Sequence, residues 1–189
     1  MTTLEIENVI VASHLGKDVE LIKLATELPN ARYSSSGNPS VIIELDRTNP
    51  KFIGHKRLKA AGVLFGNGKV LVTGISSLQE GKEIITKLKT TIIGIDPKIS
   101  TKRATKIENM VTKINLMKKL DLQRISNAVP GSEYDPLRFQ GLIMRVEKPL
   151  ASFILFESGI AVITDVISEA KAKKAFNELK RLIKDIFVL

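Results

Sequence analysis

Val63-Leu64-Phe65-Gly66-Asn67-Gly68 returns 91 residues later as Ile154-Leu155-Phe156-Glu157-Ser158-Gly159. Each run is an apolar triplet ending in phenylalanine, followed by a turn closed with glycine, the pattern of a tight hairpin between paired strands. The recurrence extends outward in both directions. Downstream, Thr73 pairs with Thr164 at the same offset of 91. Upstream, Val41-Ile42-Ile43 answers to Leu142-Ile143-Met144, Tyr33 to Tyr134, and Ile6-Glu7-Asn8 to Ile107-Glu108-Asn109, all at an offset of 101. One order kept across the chain marks an internal repeat. The drop from 101 to 91 puts 10 extra residues into the first copy. Two repeats follow, residues 1–95 and 96–189, the first with an enlarged loop at about 46–61.

Both copies read alike. A strand (Leu4–Ala12; Thr105–Ile114) precedes an amphipathic helix (about Val19–Leu28; about Lys119–Ala128). Short β-rich runs come next, in the first copy Ser40–Leu45, Ala61–Phe65 and Val70–Thr73, and a longer helix closes each copy. In the second closing helix Ala172, Ala175, Phe176, Leu179, Leu182, Ile183 and Ile186 recur at helical spacing, opposite Lys173, Lys174, Lys180 and Lys184. Leu78, Ile84, Ile85, Leu88 and Ile92 form the matching stripe in the first. Gly94-Ile95-Asp96-Pro97 is expected to break that helix and open the connection between repeats.

The strands pose the functional question. An antiparallel sheet covered by helices on one face should alternate apolar and polar residues. Val63-Leu64-Phe65, Val70-Leu71-Val72, Phe153-Ile154-Leu155-Phe156 and Ala161-Val162-Ile163 are instead apolar at both parities. Four helices cover one face, so the other must meet something apolar and large. Period-two sorting puts Val63, Phe65, Leu71 and Thr73 on one face with Asn8 and Ile10. The repeat puts Ile154, Phe156, Val162 and Thr164 on the equivalent face with Asn109 and Val111, leaving Leu64, Val72, Leu155 and Ile163 toward the helices. A second copy of the chain or a second sheet would suit such a surface. Charge favours another partner: 29 Lys+Arg against 20 Asp+Glu give +9, which suits a polyanion. The DNA minor groove offers sugar edges to apolar side chains, acceptors to asparagine and threonine, and stacked steps into which phenylalanine can wedge.

Other classes are excluded or disfavoured. Without cysteine there are no disulfides or thiolate metal sites, and His14 and His55 lack metal-ligand spacing, so no cofactor is expected. No apolar run approaches the ~20 residues that span a bilayer, and the opening MTTLEIENV is no signal peptide, which predicts a soluble intracellular protein. Clustered carboxylates, a nucleophile–histidine pair and a phosphate-cradling loop are all missing from the sequence, so it does not read as an enzyme.

Glu133-Tyr134-Asp135-Pro136-Leu137-Arg138-Phe139-Gln140-Gly141-Leu142-Ile143-Met144-Arg145 resembles the "EYxPxxFPGLIxR" motif of the TATA-binding protein family. Ile154–Gly159 resembles its "LIFxSGK", Gly62–Gly74 its "LIFxSGKxVxTG", and Ile6–Ala12 its "IxNIVAT". The resemblance covers nearly the whole chain. It implies an α+β saddle: one curved ten-stranded antiparallel sheet of two pseudo-symmetric repeats, four helices on the convex face, DNA beneath the concave one. The family is itself a standard example of minor-groove wedging. By resemblance, the chain is a general transcription initiation factor that binds and bends A·T-rich promoter DNA and recruits a transcription factor B-like protein and RNA polymerase. Asn8 and Asn109 would hydrogen-bond groove acceptors, assisted by Thr73 and Thr164. Phe139 and Phe156 would be the wedge pair of the second repeat and Phe65 one wedge of the first. Ile10, Val63, Leu71, Val111, Ile154 and Val162 would pack on sugars and bases, Lys69 and Arg145 would meet phosphates, and Asp135 would serve the factor B-like partner. With no long N-terminal extension the resemblance points to an archaeal, cytoplasmic, nucleoid-associated protein, nuclear if the source is eukaryotic. Free of DNA, the apolar face could also form a weak homodimer.

The first repeat departs most from the pattern. Asn38 stands where Phe139 stands in the second, and Glu44 where Arg145 stands. In the second repeat Ile160 matches Lys69, Asp165 replaces a glycine, and Leu137 replaces an acidic residue of the partner surface. The enlarged loop holds Lys51, Phe52, His55, Lys56, Arg57 and Lys59, which suggests that Phe52, Lys56 and Arg57 replace the lost wedge and phosphate contacts. A second reading, a divergent paralogue acting as a regulatory protein-interaction module with weak or non-specific DNA binding, rests on Asn38 and Glu44.

Overall fold

The computed structural model describes residues 3–47, 52–53, 56–99, 102–184 and 186, with backbone alone at 52–53 and 56–57. In the first half the elements are β1 (Glu5–His14), α1 (Leu21–Glu27), β2 (Ala31–Ser34), β3 (Ser40–Leu45), β4 (Phe52–Ile53), β5 (Lys56–Arg57), β6 (Ala60–Phe65), β7 (Lys69–Ile75) and α2 (Leu78–Ile95). In the second they are β8 (Lys106–Asn115), α3 (Leu122–Ala128), β9 (Ser132–Glu133), β10 (Leu142–Glu147), β11 (Leu150–Leu155), β12 (Ile160–Val166) and α4 (Glu169–Ile183). The expected ten-stranded antiparallel sheet is present, in the order β2-β3-β6-β7-β1-β8-β12-β11-β10-β9, with four helices. The chain forms two compact units, Asn8–Glu108 and Met1–Glu7 with Asn109–Leu189.

In the first unit, α1 and α2 lie against one face of the strands. Leu24, Val41, Leu64, Val70, Leu88 and Ile92 are buried together there. The burial of β6 alternates throughout and that of β7 as far as Thr73, with Leu64, Val70 and Val72 inaccessible and Val63, Phe65, Leu71 and Thr73 half-buried. In the second unit α4 packs on β11 and β12. Phe153, Leu155 and Ile163 are inaccessible, while Ile154, Val162 and Thr164 are half-buried. The period-two sorting of the sequence therefore holds in both halves. Both hairpins are as expected, with Gly68 (φ 81°) and Gly159 (φ 87°) each donating its N–H to the carbonyl of the phenylalanine before the turn.

Several expectations need correction. Residues 31–34 and 132–133 had no strand signal of their own, yet they form the edge strands β2 and β9 by pairing with β3 and β10. α2 ends within the expected Gly94–Pro97 segment, running through Gly94 to Ile95 and closing at Asp96, whose N–H still reaches the Ile92 carbonyl. The buried stripe of α4 is narrower than its periodicity: Ala172, Ala175, Leu179 and Ile183 are buried, but Phe176 lies at its edge under the Lys180 ammonium (4.7 Å), and Ile186 is beyond the helix end. Ser77 caps α2 and Ser168 caps α4, each hydroxyl accepting the N–H three residues on (3.1 and 3.2 Å).

Three charged side chains are buried in the first unit, Arg47, Glu80 and Lys89. Arg47, just after β3, is 5 % exposed and forks onto both carboxylate oxygens of Glu80 at 2.9 Å, with Ser76 completing the network. Burial alone would raise the Glu80 carboxyl; hydrogen bonds from Arg47 and Ser76 outweigh it and hold the group below its usual range. Lys89 is buried on α2, and its ammonium donates to the Ser13 hydroxyl (2.7 Å) and the Arg103 carbonyl (3.0 Å), tying the connector to β1. Burial lowers its pKa.

Candidate nucleic-acid interface

The polar centre of each half is one asparagine held by a bulge. Between Val9 and Val11 the register of β1 against β7 jumps by one extra residue, and Gly74 takes the left-handed conformation (φ 78°) needed there. Its N–H, freed from the ladder, donates to Asn8 Oδ1 (2.8 Å), while Asn8 Nδ2 donates to Thr73 Oγ1 (2.9 Å). The second half repeats the arrangement. β12 bulges against β8, Asp165 N–H donates to Asn109 Oδ1 (3.0 Å), and Asn109 Nδ2 donates to Thr164 Oγ1 (3.0 Å). These contacts fix which end of each amide is oxygen. They also use one of the two Nδ2 hydrogens, leaving the other for an outside acceptor.

Around each amide lies a half-buried apolar surface. In the first half it is built from Ile10, Val63, Phe65 and Leu71. In the second, Val111, Ile154 and Val162 take the equivalent places, with Phe156 at the end of β11. Phe139 is 43 % exposed and meets Phe156 edge-on, ring centres 6.1 Å apart and planes at 71°. Gly141 makes that seating possible, because a Cβ there would stand 2.6 Å from Phe139 Cε1 and 3.0 Å from Ile154 Cγ2. The expected pair is thus brought together; in the first half Asn38 is exposed and Phe65 has no ring partner among the described residues.

The charged positions are more engaged than the sequence suggests. Lys69 donates to Glu108 at 2.7 Å. Lys113, on the same face of β8 as Asn109, reaches Glu7 at 2.6 Å and Glu5 at 3.3 Å; those hydrogen bonds raise its pKa. Arg145 is largely exposed, 4.0 Å from Glu133. Glu44, its counterpart, is met at 2.8 Å by Lys59 from the enlarged loop, so the repulsive residue is neutralised locally. The side chains of Phe52, Lys56 and Arg57 lie outside the described residues; their backbone forms a small separate ladder, Phe52 opposite Arg57. Asp135 is exposed, but its carboxylate accepts the Leu137 N–H (3.1 Å) and shapes a turn that leaves Leu137 97 % exposed. The sequence reading missed Lys113 and Ser152 as residues of these faces; period-two parity with Asn109 on β8 and with Ile154 on β11 was the signal that could have found them.

The family described as "Transcription factor TFIID (or TATA-binding protein, TBP)" matches residues 3–93 and 104–186, both repeats. The chain belongs to the TATA-binding protein family. Among its relatives, the TATA-box-binding protein of Methanothermobacter thermautotrophicus is 30 % identical, covering 97 % of this chain and 96 % of its own. That of Methanocaldococcus jannaschii is 33 % identical over 97 % and 94 %, and that of Pyrococcus horikoshii 32 % over 94 % and 88 %. A solved structure named Methanococcus jannaschii TBP superposes with a TM-score of 0.81 at 30 % identity, covering 98 % of this chain and 99 % of that one. Family membership makes the chain a DNA-binding transcription factor and not an enzyme. Among the described residues no helix is long and apolar enough to cross a membrane.

Proposed function

We propose that this member of the family binds A·T-rich promoter DNA through the minor groove, bends it, and presents the complex to a factor B-like protein and RNA polymerase. The observation that carries the reading is the pair of bulge-held amides, Asn8–Thr73 and Asn109–Thr164, each in an apolar half-buried face with one N–H to spare. A·T pairs show only acceptors in that groove, whereas guanine adds an amino donor that would confront the amide N–H. Phe139 and Phe156 in the second half, and Phe65 in the first, are the wedges whose insertion offsets the cost of unstacking. Asp135 and the exposed Leu137 mark the surface offered to the factor B-like partner.

The test is a titration of an A·T-box duplex and a G·C-substituted one at two salt concentrations. Selective, salt-sensitive binding that falls on the order of 100-fold in Phe156→Ala fits a buried anchor. Equal, weak binding to both duplexes would sink the reading in favour of a regulatory paralogue, the function that Asn38 and Glu44 suit.

A further inference from the structure

Asp165 holds a position that its counterpart leaves bare. In the first half the bulge residue is Gly74 and the facing residue of the neighbouring strand is Ala61, opposite Thr73. In the second half the bulge residue is Asp165, left-handed at φ 63°, and Ser152 stands opposite Thr164. Aspartate is one of the few side chains that tolerate this conformation. Its carboxylate is exposed, and Oδ2 accepts the Ser152 hydroxyl at 2.5 Å. Ser152 is half-buried on the face of β11 that carries Ile154, so the bond draws the carboxylate toward the face where Asn109 and Thr164 lie. Among the described residues no lysine or arginine forms an ion pair with Asp165, and no hydrogen bond engages Oδ1.

A carboxylate is an acceptor only. Facing the N3 and O2 atoms of an A·T pair it meets acceptors and gains nothing. Guanine's 2-amino group is the one donor that the minor groove contains. We propose that Asp165, positioned by Ser152, is a specificity-determining residue that accepts a hydrogen bond from the 2-amino group of a guanine. It rests on the minor-groove reading above and reverses the rule of that reading at one base pair. Because Gly74 and Ala61 supply no acceptor side chain, the G·C pair is read in one half of the box only, which gives the site a direction.

The experiment is a single-substitution scan with the full chain. Each A·T pair of the box is replaced in turn by G·C and by inosine·C, which lacks the 2-amino group and resembles A·T in the minor groove. The expected result is one position, in one half of the box, where G·C binds roughly threefold to tenfold more tightly than inosine·C. That advantage should vanish in Asp165→Gly, a substitution the left-handed backbone accepts, and should shrink in Ser152→Ala. G·C never exceeding inosine·C while the A·T preference persists overturns the role of Asp165 alone. A G·C advantage that survives in Asp165→Gly does the same. Loss of any preference between the A·T box and a scrambled duplex overturns the minor-groove reading and this inference with it.

Discussion

The first half and the second half keep the same asparagine, threonine, bulge and flanking apolar positions, and differ in their wedges, charges and loop length. Among the described side chains the first has one phenylalanine on its face; it also has a neutral bulge at Gly74, a long loop, and a buried Arg47–Glu80 pair at that loop's root. The second has the Phe139–Phe156 pair, the charged bulge at Asp165, a two-residue turn between β10 and β11, and Lys148 and Lys171 at the positions that match Arg47 and Glu80. A duplicated unit keeps what the backbone enforces. A bulge frees one N–H that must find an acceptor, and the asparagine supplies it. Wedges, charges and loop length carry no such obligation and have diverged.

The largest expected effect breaks the comparison through stability. Arg47→Ala strands a buried carboxylate and should cost about 3–5 kcal/mol in denaturant unfolding. Lys148→Ala, at the matching exposed position, should stay within about 0.5 kcal/mol. The same pair sets a pH dependence. Because the folded state holds the Glu80 carboxyl low, its contribution is fully present above the unfolded value and is lost as pH falls through the folded one. Stability followed below about pH 4 should therefore decline less steeply in Glu80→Gln than in the parent.

A middle-sized effect sharpens the contrast in loops. Deleting residues 51–59 should weaken duplex binding about tenfold at moderate salt and reduce the slope of affinity against salt. Unchanged titrations would show that the loop does not replace the missing wedge and phosphate contacts of its half.

The smallest effect concerns Lys69. Glu108→Gln removes its 2.7 Å partner, so the freed ammonium should tighten binding roughly twofold to fivefold at low salt, with the gain disappearing as salt rises. A gain that persisted at high salt would contradict competition between Glu108 and phosphate.

The repeat, the hairpins and the two-faced strands were legible because they depend on local chemistry: Gly68 and Gly159 close turns, and alternating side chains choose a face. The family resemblance pointed to Asn8, Asn109, Thr73, Thr164 and the Phe139–Phe156 pair, and the structure brings each set into contact. Two things were not legible. Edge strands β2 and β9 exist by pairing, a nonlocal cause that sequences such as Ala31-Arg32-Tyr33-Ser34 do not announce. Ion pairs such as Lys69–Glu108 and Lys59–Glu44 join distant strands or a strand and a loop, and charge counting cannot choose partners. Asp165 stood out in the sequence only as a missing glycine; its hydroxyl partner on a neighbouring strand gave it a reason to be there.

The Arg47–Glu80 pair has a consequence for chain length. Between β3 and β6 the backbone makes an excursion of 14 residues, against two between β10 and β11. Closing the longer excursion costs on the order of 2 kcal/mol more in chain entropy, at about 0.6 kcal/mol per doubling. Arg47, gripped by α2, anchors the excursion at its second residue, next to the strand end. The root then works as an expansion joint: changes in the length or charge of the residues beyond it are expected to leave the pairing of Leu45 with Ala60 intact.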